Sequence, residues 1–82
     1  MQAIYIVSDT KRKQTSIMEI KNYFSLEEIK KNEKRDVQCL IDKMQPANTC
    51  ISVERFIPTG NKYLYKKFCI GVSNGTAYRI AA

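Results

Sequence analysis

The sequence predicts an α+β domain: an antiparallel sheet with one main α-helix packed on it, in the order β-β-α-β-β-β. Three observations carry that reading. Short runs rich in β-branched and aromatic residues stand on both sides of one long stretch with helical periodicity. A capping signature opens that stretch at Ser25. Asn74-Gly75, set between two strand-like runs, is the strongest short hairpin signal there is.

The first run, Ala3-Ile4-Tyr5-Ile6-Val7, is continuously apolar and stops at the turn-prone Ser8-Asp9-Thr10. It reads as a strand buried on both faces and therefore central in its sheet. Gln14 to Ile20, with Ile17, Met18 and Ile20, reads as the second strand. Lys11-Arg12-Lys13 then falls on the loop between two antiparallel strands and projects three positive charges.

Ser25-Leu26-Glu27-Glu28 is a capping box. The Ser25 hydroxyl can accept from the Glu28 N–H, and the Glu28 carboxylate can reach back to the Ser25 N–H. Two acids in the first turn also suit the helix dipole. Leu26, Ile29, Val37, Leu40, Ile41 and Met44 form the apolar stripe, and Pro46 ends the helix. Glu33 interrupts the stripe where an apolar residue is expected. A helix of about 20 residues spans ~30 Å, whereas strands of typical length span ~17–20 Å. The expectation is that the helix overhangs the sheet or breaks near Asn32 to Arg35. Lys30, Lys31, Lys34 and Arg35 belong to its solvated outer face.

Cys50 to Ile57, holding Val53, Phe56 and Ile57, is the third strand, followed by a turn at Pro58-Thr59-Gly60-Asn61. Lys62 to Val72 and Thr76 to Ala81 are the last two strands. With a two-residue turn at Asn74-Gly75, Ser73 opposes Thr76 and Gly71 opposes Tyr78. Opposed residues share a face. One face then carries Leu64, Lys66, Phe68, Ile70, Val72, Ala77 and Arg79. The other carries Tyr63, Tyr65, Lys67, Cys69, Gly71, Tyr78 and Ile80. The first is the more apolar and is expected to meet the helix, with Lys66 and Arg79 at its edges.

With 82 residues the chain has room for a single domain, residues 1–82. Hydrophobic residues at 44% and charged residues at 27% are ordinary globular values, which argues against wholesale disorder. Charge is the departure: fourteen Lys and Arg face eight Asp and Glu, a formal +6. Such a surface attracts phosphate backbones, acidic proteins or anionic membranes. Three cysteines, Cys39, Cys50 and Cys69, with no paired spacing, read as small buried hydrophobes in a reducing cytosol; a Cys39 to Cys50 bridge is possible in principle, and the sequence does not show it. No metal site and no cofactor are expected: there is no histidine and no CxxC pair. Met1 to Val7 is too short for a signal core and its basic cluster follows it, and no apolar run approaches a membrane span.

Catalysis is not expected either. The commonest acid/base residue is missing. Five of the eight carboxylates, Glu27, Glu28, Glu33, Asp36 and Asp42, fall on the helix as dipole and i,i+4 partners. No nucleophile elbow, P-loop or dinucleotide glycine fingerprint is present. The candidate site is instead a binding surface: Tyr63, Tyr65, Lys67 and Tyr78 on one sheet face, with Lys11, Arg12 and Lys13 on the loop. Tyrosines interleaved with cations stack and neutralise single-stranded nucleic acid, and they also anchor protein interfaces. Tyrosine is common in strands for packing reasons alone, so a scaffold role is the competing account.

The opening Met1-Gln2-Ala3-Ile4-Tyr5-Ile6 and the β-β-α-β-β-β order resemble the small phage-encoded anti-CRISPR inhibitors of type I-F systems. The helix region and the final hairpin are longer than in that family, and no residue role carries over. The resemblance implies a phage-type protein in the host cytoplasm that blocks a nucleic-acid-handling complex by surface binding. The expected partner is thus a protein complex that handles nucleic acid, with RNA or single-stranded DNA itself as the alternative. A homodimer through a strand edge fits either.

Overall fold

The structure is a computed structural model that describes residues 1–9, 16–44, 49–73 and 76–79. The elements are β1 (Gln2–Asp9), β2 (Ser16–Asn22), α1 (Leu26–Met44), β3 (Thr49–Thr59), β4 (Lys62–Ser73) and β5 (Thr76–Arg79). The strands form one antiparallel sheet in the spatial order β2-β1-β3-β4-β5. This is the α+β fold and the element order that the sequence predicts. β4 and β5 pair in the predicted register, Ser73 opposite Thr76 and Gly71 opposite Tyr78; Asn74 and Gly75 lie outside the described residues.

The helix starts as its cap dictates. The Glu28 N–H donates to Ser25 Oγ at 3.3 Å, and the Ile29 N–H to the Ser25 carbonyl at 3.3 Å. It then runs unbroken for 19 residues. The expected break near Asn32 to Arg35 does not occur, and the sheet is longer than typical strands allow. β3 and β4 have 11 and 12 residues, or about 36–40 Å at ~3.3 Å per residue. A 19-residue helix needs only about 28 Å. The two-residue turn at Gly60-Asn61 makes that length possible, with Gly60 at φ +65°, a conformation open to glycine. Pro58 and Thr59 therefore belong to β3, not to the turn.

Ile29, Val37, Leu40, Ile41 and Met44 of α1 are buried against Ala3, Tyr5 and Val7 of β1, Ile51, Val53 and Ile57 of β3, and Phe68, Ile70 and Val72 of β4. The reading of β1 as buried on both faces needs correction. Ala3, Tyr5 and Val7 are buried, but Ile4 and Ile6, on the other side, are only half-buried. All the helix lies on one side, so β1 is interior in the sheet while one of its faces has no layer above it among the described residues.

One row beneath the helix is polar. Glu19, Tyr5, Arg55 and Lys66 are consecutive cross-strand neighbours. Glu33 descends from the helix onto this row: Arg55 Nη1 donates to its Oε1 at 2.8 Å and Lys66 Nζ to its Oε2 at 3.2 Å. The interruption in the apolar stripe is thus the countercharge for a buried arginine. Beside it the Tyr23 hydroxyl donates to the buried Asp36 carboxylate.

Tyr5 is fully buried, and its hydroxyl has no partner among the described residues. Burial, reinforced by the nearby Glu33 and Asp36 carboxylates, pushes its ionisation well above the ordinary value of 10.0. A phenol whose folded value is raised contributes stability that is complete below its unfolded value and is lost as pH climbs past it. Two results are expected of Tyr5→Phe. Stability near neutral pH holds or rises by up to about 1–3 kcal/mol, the cost of an unsatisfied buried hydroxyl. The decline in stability above about pH 10 becomes shallower. A large loss in a urea melt at neutral pH would show that the hydroxyl has a partner.

Candidate binding surface

The face of the sheet opposite the helix is the candidate site. Register defines it row by row. Ile20, Ile4, Phe56 and Tyr65 are consecutive neighbours across β2, β1, β3 and β4. The next row is Met18, Ile6, Glu54 and Lys67, and the one after it is Ser16, Ser8, Ser52 and Cys69. An aliphatic and aromatic band thus crosses four strands at one end of the open face and gives way to small polar residues toward the other.

Phe56 organises the aromatic part. Its ring lies 4.9 Å from that of Tyr65, tilted by 46°, and 6.3 Å from that of Tyr63, edge to face. Both are favourable aromatic geometries. The Tyr65 hydroxyl donates to Glu54 Oε2 at 2.8 Å, and that hydrogen bond raises the Tyr65 ionisation above its usual value. Tyr65 is held by a ring on one side and a carboxylate at its tip, yet it stays 52% exposed, with Tyr63 at 64%. Such a side chain loses little freedom when a partner covers it. Across the sheet Met18 is 64% exposed and Ile20 47%. These are large apolar groups in contiguous positions, unlike the scattered single ones of an ordinary surface.

Of the residues read from sequence as candidates, the structure brings Tyr63, Tyr65 and Lys67 onto this face, all exposed, at alternate positions of β4. Tyr78 pairs with Gly71 in β5, and its side chain lies outside the described residues. Lys11, Arg12 and Lys13 also lie outside the described residues. Sequence reasoning missed Phe56, Ile4, Ile6, Met18 and Ile20. In sequence Phe56 stands beside Val53 and Ile57, which face the helix, and alternation from the buried Val53 and Ile57 puts Phe56 on the opposite side.

The cysteines also depart from expectation. All three are thiols rather than half-cystines; Cys39 and Cys69 are exposed and Cys50 is half-buried. They are not core residues. Burial, together with the neighbouring Cys69, pushes the Cys50 thiol up. That lowers its thiolate fraction and its nucleophilicity at neutral pH.

Charge is distributed on both sides. Lys30, Lys31, Lys34 and Arg35 are exposed on the outer side of α1, as expected. Lys43, also exposed, reaches down to Glu19 at 2.9 Å, where Lys21 joins it at 3.0 Å. These two cations hold the Glu19 carboxyl below its usual range. Among the described residues no group of three or more His, Cys, Asp or Glu side chains comes together to hold a metal, and no helix is long and apolar enough to cross a membrane. No protein-family model, curated protein or solved structure matches the chain.

Proposed function

We propose that this chain is a non-enzymatic binding domain that docks a protein partner on the open face of its sheet, and that it acts as an inhibitor by occupying a surface of a complex that handles nucleic acid. The observation that carries the docking reading is the row Ile20, Ile4, Phe56 and Tyr65, continued by Met18 and Ile6, in which Ile20, Tyr65 and Met18 are exposed and Ile4, Phe56 and Ile6 half-buried. Aromatic anchors set among aliphatic residues are the composition of an interface core. A net +6 on the chain favours a target that is acidic around an apolar centre. The likeness to phage-encoded anti-CRISPR inhibitors suggests the class of target. A non-catalytic role is supported by the lack of histidine and by the engagement of the helix acids: Glu33 with Arg55 and Lys66, Asp36 with Tyr23, Asp42 with Gln38.

A second reading rests on Tyr63, Tyr65 and Lys67, which present two rings and a cation in line for a single strand of RNA or DNA. The rest of the face disfavours it. Ile4, Ile6, Met18 and Ile20 offer neither charge nor a stacking plane, and the Glu54 carboxylate in their midst repels phosphate.

The test is capture of partners from host lysate with and without nuclease, by the parent chain and by Tyr65→Ala. One stoichiometric protein should survive nuclease. Tyr65→Ala should weaken it by about 2 kcal/mol or more, as for a buried aromatic hot spot, with a shallow salt dependence. Binding that vanishes with nuclease, or that falls steeply with salt as counterion release requires, would overturn the protein reading. Full retention by Tyr65→Ala would remove the open face as the docking surface.

A further inference from the structure

The outer edge of β2 is built to pair with itself. Tyr23 exchanges two hydrogen bonds with Met1, its N–H to the Met1 carbonyl at 2.8 Å and its carbonyl from the Met1 amino group at 2.7 Å. The β1 to β2 register continues from there without a bulge, from Gln2 opposite Asn22 to Ser8 opposite Ser16. In an antiparallel ladder the direction of the backbone groups alternates residue by residue. Lys21, Glu19 and Ile17 therefore turn their N–H and C=O groups toward β1, as Tyr23 does. Asn22, Ile20 and Met18 turn theirs outward, along the end of the sheet.

We propose that two copies of this chain join antiparallel along this edge, with Ile20 opposite Ile20 on the two-fold axis. Any two-fold register centred on a residue of this strand satisfies the backbone alternation, and those centred on Met18, Glu19 or Ile20 pair the longest stretch of Ser16–Asn22. Centring on Glu19 sets that carboxylate against its own copy. Centring on Met18 leaves Glu19 facing the apolar Ile17. Only the Ile20 register puts Glu19 opposite Lys21 of the second copy and Lys21 opposite its Glu19. Both are non-hydrogen-bonded pairs, where side chains approach most closely. Charges on an edge strand ordinarily prevent such joining; here opposite charges two residues apart about the axis permit one register and penalise another.

The open face gives the same answer independently. In this register the row that runs from Tyr65 through Phe56 and Ile4 to Ile20 meets its own copy end to end. The half-exposed Ile20 gains an apolar neighbour, and a ten-stranded sheet carries one unbroken band. Two other registers would set this row out of line. The inference goes beyond the docking role and does not need it.

The experiment is sedimentation of the full chain over a concentration series into the millimolar range. The parent chain should approach twice the chain mass. Ile20→Pro should be monomeric with an unchanged circular dichroism spectrum, because the Ile20 N–H faces away from β1 and an edge position of that kind tolerates proline. Glu19→Lys and Lys21→Glu should each weaken the dimer about tenfold or more, since each sets two like-charged pairs across the axis. An equimolar mixture of these two variants should recover the parent affinity, because every facing pair is again of unlike charge. A parent chain that stays monomeric throughout, an Ile20→Pro chain that dimerises as the parent does, or a mixture no tighter than its components would overturn the proposal.

Discussion

Glu33→Ala is expected to destabilise the domain by about 3–5 kcal/mol, the cost of leaving one member of a buried ion pair without its partner. Arg55 is buried, and its Nη1 donates to Glu33 while its Nε has no partner among the described residues. Removing the carboxylate leaves the guanidinium facing the Tyr5 ring row with its charge uncompensated, and it also releases Lys66. Stabilities of small domains are ~5–15 kcal/mol, so the variant should unfold at a markedly lower urea concentration. Glu33→Gln keeps an acceptor and should lose less. The double variant Glu33→Ala with Arg55→Met should recover much of the loss, since replacing a whole buried pair by apolar groups is often close to neutral. Single and double variants that melt alike would show that Arg55 finds water when Glu33 is gone.

Leu40→Ala should cost about 2–5 kcal/mol, the range for a buried leucine cut back to its Cβ. Leu40 is wholly buried at the middle of the stripe that joins α1 to the sheet, between Val37 and Met44. Among the described residues the helix meets one layer, the sheet, so no second layer stands behind it to collapse into the space. At ~4–8 °C per kcal/mol for a domain of this size, the melting temperature should fall by at least ~8 °C. Asp42→Ala, two residues on but exposed and bonded to Gln38 along the helix surface, should change stability by less than about 0.5 kcal/mol. Equal melting temperatures for the two would displace Leu40 from the core.

The element order and the hairpin register were legible because they rest on local chemistry. The Ser25 cap, the Asn74-Gly75 turn and the alternation in β4 each act within a few residues, and together they placed Tyr63, Tyr65 and Lys67 on the face away from the helix. What could not be read depended on partners distant in sequence. Glu33 looked like a defect in a stripe, and only Arg55, 22 residues later, accounts for it. Ile4 and Ile6 looked like a second buried face, because a continuous apolar run has the same pattern whether or not a second layer covers both its sides. Phe56 was visible as an apolar residue but not as a surface one; its side of the sheet follows from register with Tyr65 and Ile4. The cysteines were misjudged because small apolar character is a tendency, and Cys39 and Cys69 occupy outward positions of a helix and a strand.

A sheet that the described residues cover on one side only would tie the lifetime of the protein to any partner that docks on the other. The domain forgoes the burial that a second layer would supply over Ile4, Ile6, Phe56 and the β2 side chains. A partner that covered that face would bind the folded chain and not the unfolded one, and would therefore add to the free energy of folding. At a ligand concentration of a hundred times Kd the gain is about 2.7 kcal/mol, a sizeable fraction of what a small domain has in total. Free chain would then be cleared by proteases sooner than occupied chain, and the steady-state amount of the protein would follow the amount of its target.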